Sequence, residues 1–279
     1  MHQFKVSSNS IASMGSLASG LNLSREQLNK ALTIPAESRY VEVKGAIPKS
    51  DGTKRTVYNP HPSIRLVQSR INKNILANEN IISWPDYIYG SIPNSYKGTN
   101  EEVRKDYIAC ASKHCLSKSL LKIDIKDFFD NIHRDHVINI FQDILHYPKE
   151  ISEILTDLCT FNDCLPQGGL TSSYLACLTL NFSEYSVVQR LKKKGLTYTR
   201  YVDDITVSSK VSNYDFGYAK RIIYDMLDQK DLPTNEEKCS VTYDSSTPLI
   251  VHGLRVSFQS PRLPVGSRMI GSPIEVILC

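Results

Sequence analysis

Two acidic clusters, each in or beside a short apolar segment, constrain this chain more than any other feature. The first is KIDIKDFF, in which Asp124 lies inside the mostly apolar run LLKIDI, and the second is Asp203-Asp204 in YVDD. A carboxylate in an apolar strand is costly to bury unless a cation meets it, and adjacent aspartates at a turn repel each other. The simplest joint solution is a shared divalent metal site, and hard oxygen ligands favour Mg²⁺.

Such a site has a defined chemical use. Two Mg²⁺ ions about 3.5–4 Å apart can activate an attacking 3′-hydroxyl and stabilise a leaving pyrophosphate. The simpler alternative is that Asp203-Asp204 is only a polar hairpin turn, since turns are rich in aspartate. A turn does not explain the acid inside the apolar strand LLKIDI, or the aromatic pair Phe128-Phe129 that follows it.

The spacing of apolar, turn and helix-capping residues predicts an α+β fold, with helices on one face of a sheet. Helices are predicted within 8–33, with a start at Ser24, and over 63–76, 137–159 with a break near Pro148, 170–194 and 214–229. Strands are predicted over 40–58 as a basic hairpin with a D-G turn, 120–125, 196–209 as two strands around an acidic turn, 239–243 and 249–258. Residues 84–100 are predicted as loop.

Positive charge is concentrated in one segment. The formal net charge of +4 says little by itself, but Arg39–Lys73 carries eight lysines and arginines against two acids. A local excess of this kind is typical of a phosphate-binding surface, and the alternative is an ordinary solvated basic face.

The cysteines and the N-terminus indicate a reducing compartment. The chain has seven cysteines, an odd number, and the first residues have no long apolar segment typical of a signal peptide. Zinc is conceivable at the C-x4-C pairs Cys110/Cys115 and Cys159/Cys164, but reduced and mostly buried thiols are favoured. No apolar run reaches the ~18 residues that a membrane span needs, so a cytoplasmic protein is expected.

Three separated motifs resemble those of reverse transcriptases. YVDD resembles their signature turn, KIDIKDFF resembles their first palm motif, and LPQGGLTSS (Leu165–Ser173) resembles the motif between them. The order and spacing agree, and the resemblance extends from about Tyr40 to about Phe258. It implies an RNA-directed DNA polymerase with the right-hand polymerase fold, two Mg²⁺ ions and dNTP substrates.

The resemblance also implies roles for individual residues. The metal ligands would be Asp124, Asp203, Asp204 and the backbone carbonyl of Ile125. Lys238 would protonate the leaving pyrophosphate, although it could instead be an ordinary surface lysine. Phe129 would be an aromatic steric gate that excludes a 2′-hydroxyl. The remaining substrate-binding residues would be Lys49, Arg55, Asp127, Phe128, Gln167, Gly168 and Tyr201.

Within that family the chain is similar to the retron branch. KSDGTKRTVYNPHPSIRLVQSRI resembles the retron fingers block. Retron enzymes carry V-T-G-L, where this chain has Val251-His252-Gly253-Leu254, and N-A-x-x-H, where it has Cys110-Ala111-Ser112-Lys113-His114. The resemblance implies a structured non-coding RNA as template and primer, a single-stranded DNA product, a role in anti-phage defence and a possible effector protein.

The predicted domains are an N-terminal helical segment (1–35), fingers (36–115), a palm (116–260, with part of the fingers around 145–170) and a tail (261–279). No complete thumb is expected, because the tail contains Gly and Pro throughout and lacks an amphipathic period. Two alternatives stay open: a catalytically weak reverse-transcriptase-like RNA-binding protein that needs a partner, and another two-metal enzyme such as a nuclease or nucleotide cyclase.

Overall fold

A computed structural model describes residues 11–43, 56–97 and 101–264. These residues form two compact units. The helical unit contains Phe129–Thr179 and the described residues up to Ser83, and the sheet unit contains Trp84–Phe128 and the described residues from Leu180 onward.

Helices and short strands alternate along the chain. In order, the elements are α1 (Met14–Gly20), α2 (Arg25–Leu32), β1 (Tyr40–Glu42), β2 (Tyr58–Pro60), α3 (Pro62–Ile71), β3 (Ile88–Tyr89), β4 (Ser95–Lys97), β5 (Glu101–Val103), α4 (Tyr107–Ser112), β6 (Ser119–Asp124), α5 (Arg134–Asn139), α6 (Lys149–Cys159), α7 (Ser172–Leu178), α8 (Asn181–Lys193), β7 (Thr197–Tyr201), β8 (Asp204–Ser209), α9 (Gly217–Asp228), β9 (Ser240–Tyr243), β10 (Ile250–Val251) and β11 (Leu254–Arg255). One π-helical turn follows α3 at Asn72–Leu76, and another follows α5 at Ile140–Ile144.

Local signals account for several helix ends. Helix α2 starts where the sequence predicts, because the Ser24 hydroxyl accepts from the Gln27 N–H while the Gln27 side chain accepts from the Ser24 N–H. Helix α3 begins at a proline, whose fixed φ suits the first helical turn. The predicted break near Pro148 is confirmed, since α6 starts immediately after it.

The sheet unit is built on a five-stranded sheet with the order β3-β7-β8-β6-β9. Strand β3 is parallel to β7, and the other neighbours are antiparallel. The centre of the sheet is apolar, because Leu121 and Ile123 on β6 and Ile205 and Val207 on β8 are all buried. The two strands predicted around the acidic turn are confirmed as β7 and β8.

Three sequence predictions are wrong. Residues 170–194 form two helices, and the Thr179 and Ser183 hydroxyls bond to the carbonyls of Leu175 and Leu180 beside the interruption. The predicted loop 84–100 contains β3 and β4, and β3 is a strand because it pairs with β7. The predicted strand 249–258 is a tight hairpin of β10 and β11.

The mixed helix-and-sheet fold is confirmed, whereas the predicted fingers, palm and tail boundaries stay predictions. The D-G turn of the basic hairpin lies outside the described residues, which include its flanking strands β1 and β2. The six described cysteines are free thiols, and three of them are buried. Every helix in the described ranges is too short or too polar to span a membrane.

Candidate active site

Asp124 and Asp204 lie opposite each other at the ends of paired strands. Asp124 is the last residue of β6 and Asp204 the first of β8, and they are partners in the antiparallel register. Directly opposed residues point to the same face with Cβ atoms about 4.5–5.5 Å apart. The Ile125 N–H donates to the Asp203 carbonyl at 3.0 Å, and the Asn235 N–H donates to the Asp124 carbonyl at 2.8 Å. The backbone around both acids is therefore held by hydrogen bonds.

The turn that carries Asp203 is strained. Tyr201 pairs with Asp204, which leaves Val202 and Asp203 as a two-residue turn. Val202 has a φ of 57°, a left-handed conformation that is rare for a β-branched residue and costs of order 1–3 kcal/mol. The Val202 N–H donates to the Tyr89 carbonyl at 3.2 Å, and Arg200 Nη1 donates to the Val202 carbonyl at 2.9 Å. The first bond ties the turn to strand β3, and the second ties it to the side chain of Arg200.

A buried ion pair supports this turn, and the sequence reading missed it. Arg200 Nε and Nη2 donate to the two carboxylate oxygens of Glu184 at 2.6 and 2.8 Å, and both side chains are fully buried. The Tyr198 hydroxyl also donates to Glu184, at 2.7 Å. The available signal was an arginine inside the strand TYTRY, because a charge in a buried strand requires a partner.

The environment of Asp204 is short of positive charge. Burial raises the pKa of its carboxyl group to about 6, and the neighbouring Asp203 and Asp124 add to that effect. Lys122 and Lys238 act in the opposite direction without offsetting it. Lys238 Nζ lies 3.3 Å from Asp124 Oδ1, and His252 Nδ1 lies 3.5 Å from Asp204 Oδ2. A further cation would stabilise this group of acids.

The described residues contain no group of three or more His, Cys, Asp or Glu side chains that could hold a metal ion. The predicted trio is brought together in part: Asp124 and Asp204 are in register, and Asp203 precedes Asp204 in the turn. The donor chemistry fits a divalent ion, because carboxylate oxygens are the ligands that Mg²⁺ prefers and Asp204 lacks sufficient positive charge.

In the helical unit, the predicted nucleotide-binding loop is held against β2. The Tyr58 N–H donates to the Gln167 carbonyl at 2.7 Å. Gly168 has a φ of 105°, and a Cβ atom placed on it would lie only 2.0 Å from the Tyr58 carbonyl oxygen. Glycine is therefore required here for both conformation and space.

The other predicted site residues have less distinctive surroundings. Phe128 is buried, and Asp127 has a positive φ of 45°. The Phe129 carbonyl accepts from the Ile132 N–H at 3.2 Å. Tyr201 packs on Gly90, where a Cβ atom would lie 2.8 Å from the tyrosine ring. Lys49 and Arg55 lie outside the described residues.

Comparison with known proteins identifies the family. Residues 47–263 match the family described as reverse transcriptase (RNA-dependent DNA polymerase). The chain is 47% identical over 267 residues to the retron Ec48 reverse transcriptase of Escherichia coli, covering 95% of this chain and 64% of that protein. It is 32% identical over 262 residues to the retron Se72 reverse transcriptase of Salmonella heidelberg (strain 579083-10), covering 92% of this chain and 65% of that protein.

The chain thus spans less than two thirds of the length of these two relatives. Among solved structures, a telomerase from Candida albicans, in complex with a fragment of telomeric RNA, is similar in fold. Its TM-score is 0.53 at 12% identity, and the match covers 88% of this chain and 50% of that one. The family predicted from the three motifs is confirmed: the chain belongs to the reverse transcriptase (RNA-dependent DNA polymerase) family.

Proposed function

We propose that this chain is an RNA-directed DNA polymerase of the retron kind, which adds dNTPs to a primer on a structured RNA template. The observation that carries the proposal is the in-register pair Asp124 and Asp204, beside a strained turn, in a chain of this family. Opposed carboxylates at two strand ends contribute nothing to a core, whereas a metal-dependent phosphoryl transfer requires them.

The metal ligands in this proposal are the side chains of Asp124, Asp203 and Asp204 and the carbonyl of Ile125. They would hold two Mg²⁺ ions, which, when bound, supply an activated 3′-hydroxyl and neutralise the triphosphate. The protein orients these groups through the bonds to the Asp124 and Asp203 carbonyls, and through the buried arginine beneath the turn.

The remaining residues bind the substrates. Lys238 Nζ, 3.3 Å from Asp124 Oδ1, carries a proton that it can donate to the departing pyrophosphate. Phe129 would exclude the 2′-hydroxyl of a ribonucleotide, and Tyr201 and Gln167 would lie against the nucleotide. Lys49 and Arg55, with the backbone N–H groups of Asp127 and Phe128, would accommodate the triphosphate. Gly168, next to Gln167, would allow close backbone approach because it has no side chain.

The similarity to the Ec48 and Se72 retron enzymes supports the remaining parts of the proposal. The template and primer would come from a structured non-coding RNA, and the product would be single-stranded DNA. The protein would act in the cytoplasm in anti-phage defence, where an effector protein could be a partner.

The test is primer extension on an RNA template with the double variant Asp203→Asn/Asp204→Asn. We expect Mg²⁺-dependent dNTP incorporation to be abolished while the circular dichroism spectrum is unchanged, because turn acids contribute little to the core. Asp228→Asn, an exposed acid on α9, is the matched control. Full incorporation by the double variant would contradict the assignment. RNA binding without incorporation by the unaltered chain would favour the alternative of an RNA-binding protein.

A further inference from the structure

The two positions at which this chain departs from the retron motifs contact each other. Cys110 stands where those motifs have asparagine and His252 where they have threonine, 142 positions apart, and Cys110 Sγ lies 3.3 Å from His252 Nε2. The retained apolar residues of both motifs, Ala111, Val251 and Leu254, are buried. They belong to one buried cluster, which consists of Ala111, Leu120, Leu249, Val251, Leu254 and Val256.

A tight turn presents His252 to the candidate active site. His252 and Gly253 connect β10 and β11 and have φ values of 47° and 78°, as a two-residue hairpin turn with positive φ at both positions requires. The His252 ring centroid lies 4.7 Å from that of Tyr201, and its side chain is only 11% exposed. His252 therefore lies between Tyr201, Cys110 and Asp204, 3.5 Å from the last.

The two ring nitrogens of His252 face different partners. Nδ1 faces the Asp204 carboxylate, which can only accept, so an N–H on Nδ1 is the donor that suits this contact. Nε2 faces the Cys110 thiol, whose proton points to Thr199 Oγ1. Burial raises the pKa of Cys110 to about 12, so the thiol keeps its proton.

The cysteine is in turn anchored in the sheet. Cys110 Sγ lies 3.3 Å from Thr199 Oγ1, which is 2.7 Å from His114 Nε2. His114 Nδ1 lies 2.8 Å from Ser208 Oγ, so the chain of contacts ends on β8, the strand that begins with Asp204. A continuous buried network of this kind is rigid when each member has a partner.

We propose that His252, held between Cys110 and Tyr201, is a positioning residue that orients the Asp204 carboxylate towards a divalent cation. The proposal rests on the proposed function, because it assigns the support of the same metal site. The two positions that differ from the retron motifs would then act together, because Cys110 Sγ and His252 Nε2 are in contact beside Asp204.

The test compares two substitutions of His252 in the full 279-residue chain. His252→Asn keeps a side-chain N–H donor near the position of Nδ1 and tolerates a positive φ, whereas His252→Leu removes the donor. Three quantities are measured: Mn²⁺ binding by electron paramagnetic resonance without nucleic acid, kcat and KM for dNTP incorporation, and the midpoint of thermal unfolding. Removing a residue that orients a metal ligand typically weakens metal binding or activity about 10–100-fold.

We expect His252→Leu to weaken Mn²⁺ binding and lower kcat by about 10-fold or more, with KM for dNTP little changed. His252→Asn should retain most of the Mn²⁺ affinity and most of kcat. Equal Mn²⁺ binding in the unaltered chain and His252→Leu would overturn the proposal, as would equal losses in both variants accompanied by a lower unfolding midpoint. If the unaltered chain incorporates no dNTP, the proposed polymerase function fails, while the Mn²⁺ comparison still decides the positioning role.

A double-mutant cycle tests the partnership with Cys110. Cys110→Asn, His252→Thr and the double variant exchange this pair for the residues of the retron motifs, and the same Mn²⁺ titration is measured. Residues in contact are energetically coupled. The double variant should therefore lose less Mn²⁺ affinity than the two single losses added together. Additive losses would show that Cys110 does not act through His252.

Discussion

Asp124 and Asp204 are directly paired across β6 and β8, so two acidic side chains occupy one face of the sheet at adjacent strand ends. Burial raises the pKa of Asp204 to about 6, and the nearby Asp124 carboxylate adds to that effect. Two carboxylates this close destabilise the folded state but suit a bound cation. Neutralising one of them should therefore maintain or raise stability while lowering activity.

Asp204→Asn should therefore abolish dNTP incorporation while leaving the unfolding midpoint, measured without divalent ions, unchanged or raised by a few degrees. Adding Mg²⁺ should raise the midpoint of the unaltered chain more than that of the variant, because only a bound ligand stabilises the folded state. Differential scanning calorimetry of the unaltered chain and the variant, each with and without Mg²⁺, measures these unfolding midpoints. A large loss of stability in the metal-free variant would mean that Asp204 has a structural role.

Gly168→Ala should destabilise the helical unit. The added Cβ would lie 2.0 Å from the Tyr58 carbonyl oxygen, in addition to the penalty for a positive φ. Gly195→Ala is a matched control, because Gly195 has a φ of 71° with nothing within 4 Å of the added atom. We expect a loss of about 1–2 kcal/mol for the control from backbone strain alone, and a larger loss for Gly168→Ala, by urea unfolding. Similar losses would mean that the loop moves away from Tyr58 without penalty.

Arg200→Met should reduce the free energy of unfolding by about 3–5 kcal/mol, because it leaves Glu184 buried without its partner. The double variant Arg200→Met/Glu184→Met should regain most of that loss. Its dNTP incorporation should stay low, because the Val202 carbonyl has still lost its donor from Arg200. Chemical unfolding measures the change in stability, and primer extension measures the change in dNTP incorporation. Full activity in the double variant would show that the turn does not depend on this bond.

His114 should make the folded state sensitive to acid. Burial, with smaller effects of His252 and Lys122, lowers the pKa of His114 from 6.5 to about 3. Between these values the unfolded chain binds a proton that the folded chain does not, so stability is complete above pH 6.5 and falls as pH decreases towards 3. The expected slope is up to ~1.4 kcal/mol per pH unit from this group.

The measurement is the free energy of unfolding between pH 7.5 and about 4.5, within the range where histidine titrates. His114→Gln should flatten the slope, whereas His146→Asn, a change of an exposed histidine, should not. The same slope in His114→Gln and the unaltered chain would assign the acid sensitivity to other groups.

Phe129→Ala should admit ribonucleotides if this side chain excludes the 2′-hydroxyl. The expected change is a lower ratio of kcat/KM for dGTP over GTP, since less side-chain volume opposes the extra hydroxyl. Phe182→Ala, which shortens a phenylalanine that is 45% exposed on α8, is the control. An unchanged ratio in Phe129→Ala would indicate that this residue serves only in packing.

The site residues were predictable to the extent that their signals are local. The acid in an apolar strand, the D-D pair between two strands and the LPQGG loop are all readable within a few residues. In the structure Asp124 and Asp204 meet in register, and Gly168 admits no side chain. The catalytic and substrate-binding roles of all the predicted site residues stay predictions, and Lys49 and Arg55 lie outside the described residues.

The sequence by itself determined the reverse transcriptase family, the strands that carry the acids and the helix starts at Ser24 and after Pro148, because capping, periodicity and motif spacing are local properties. Only the tertiary structure decided that β3 is a strand and that residues 170–194 form two helices. It alone paired Arg200 with Glu184, and Cys110 with His252. Each of these outcomes depends on hydrogen-bond partners or packing from distant parts of the chain, which a local pattern of residues does not contain.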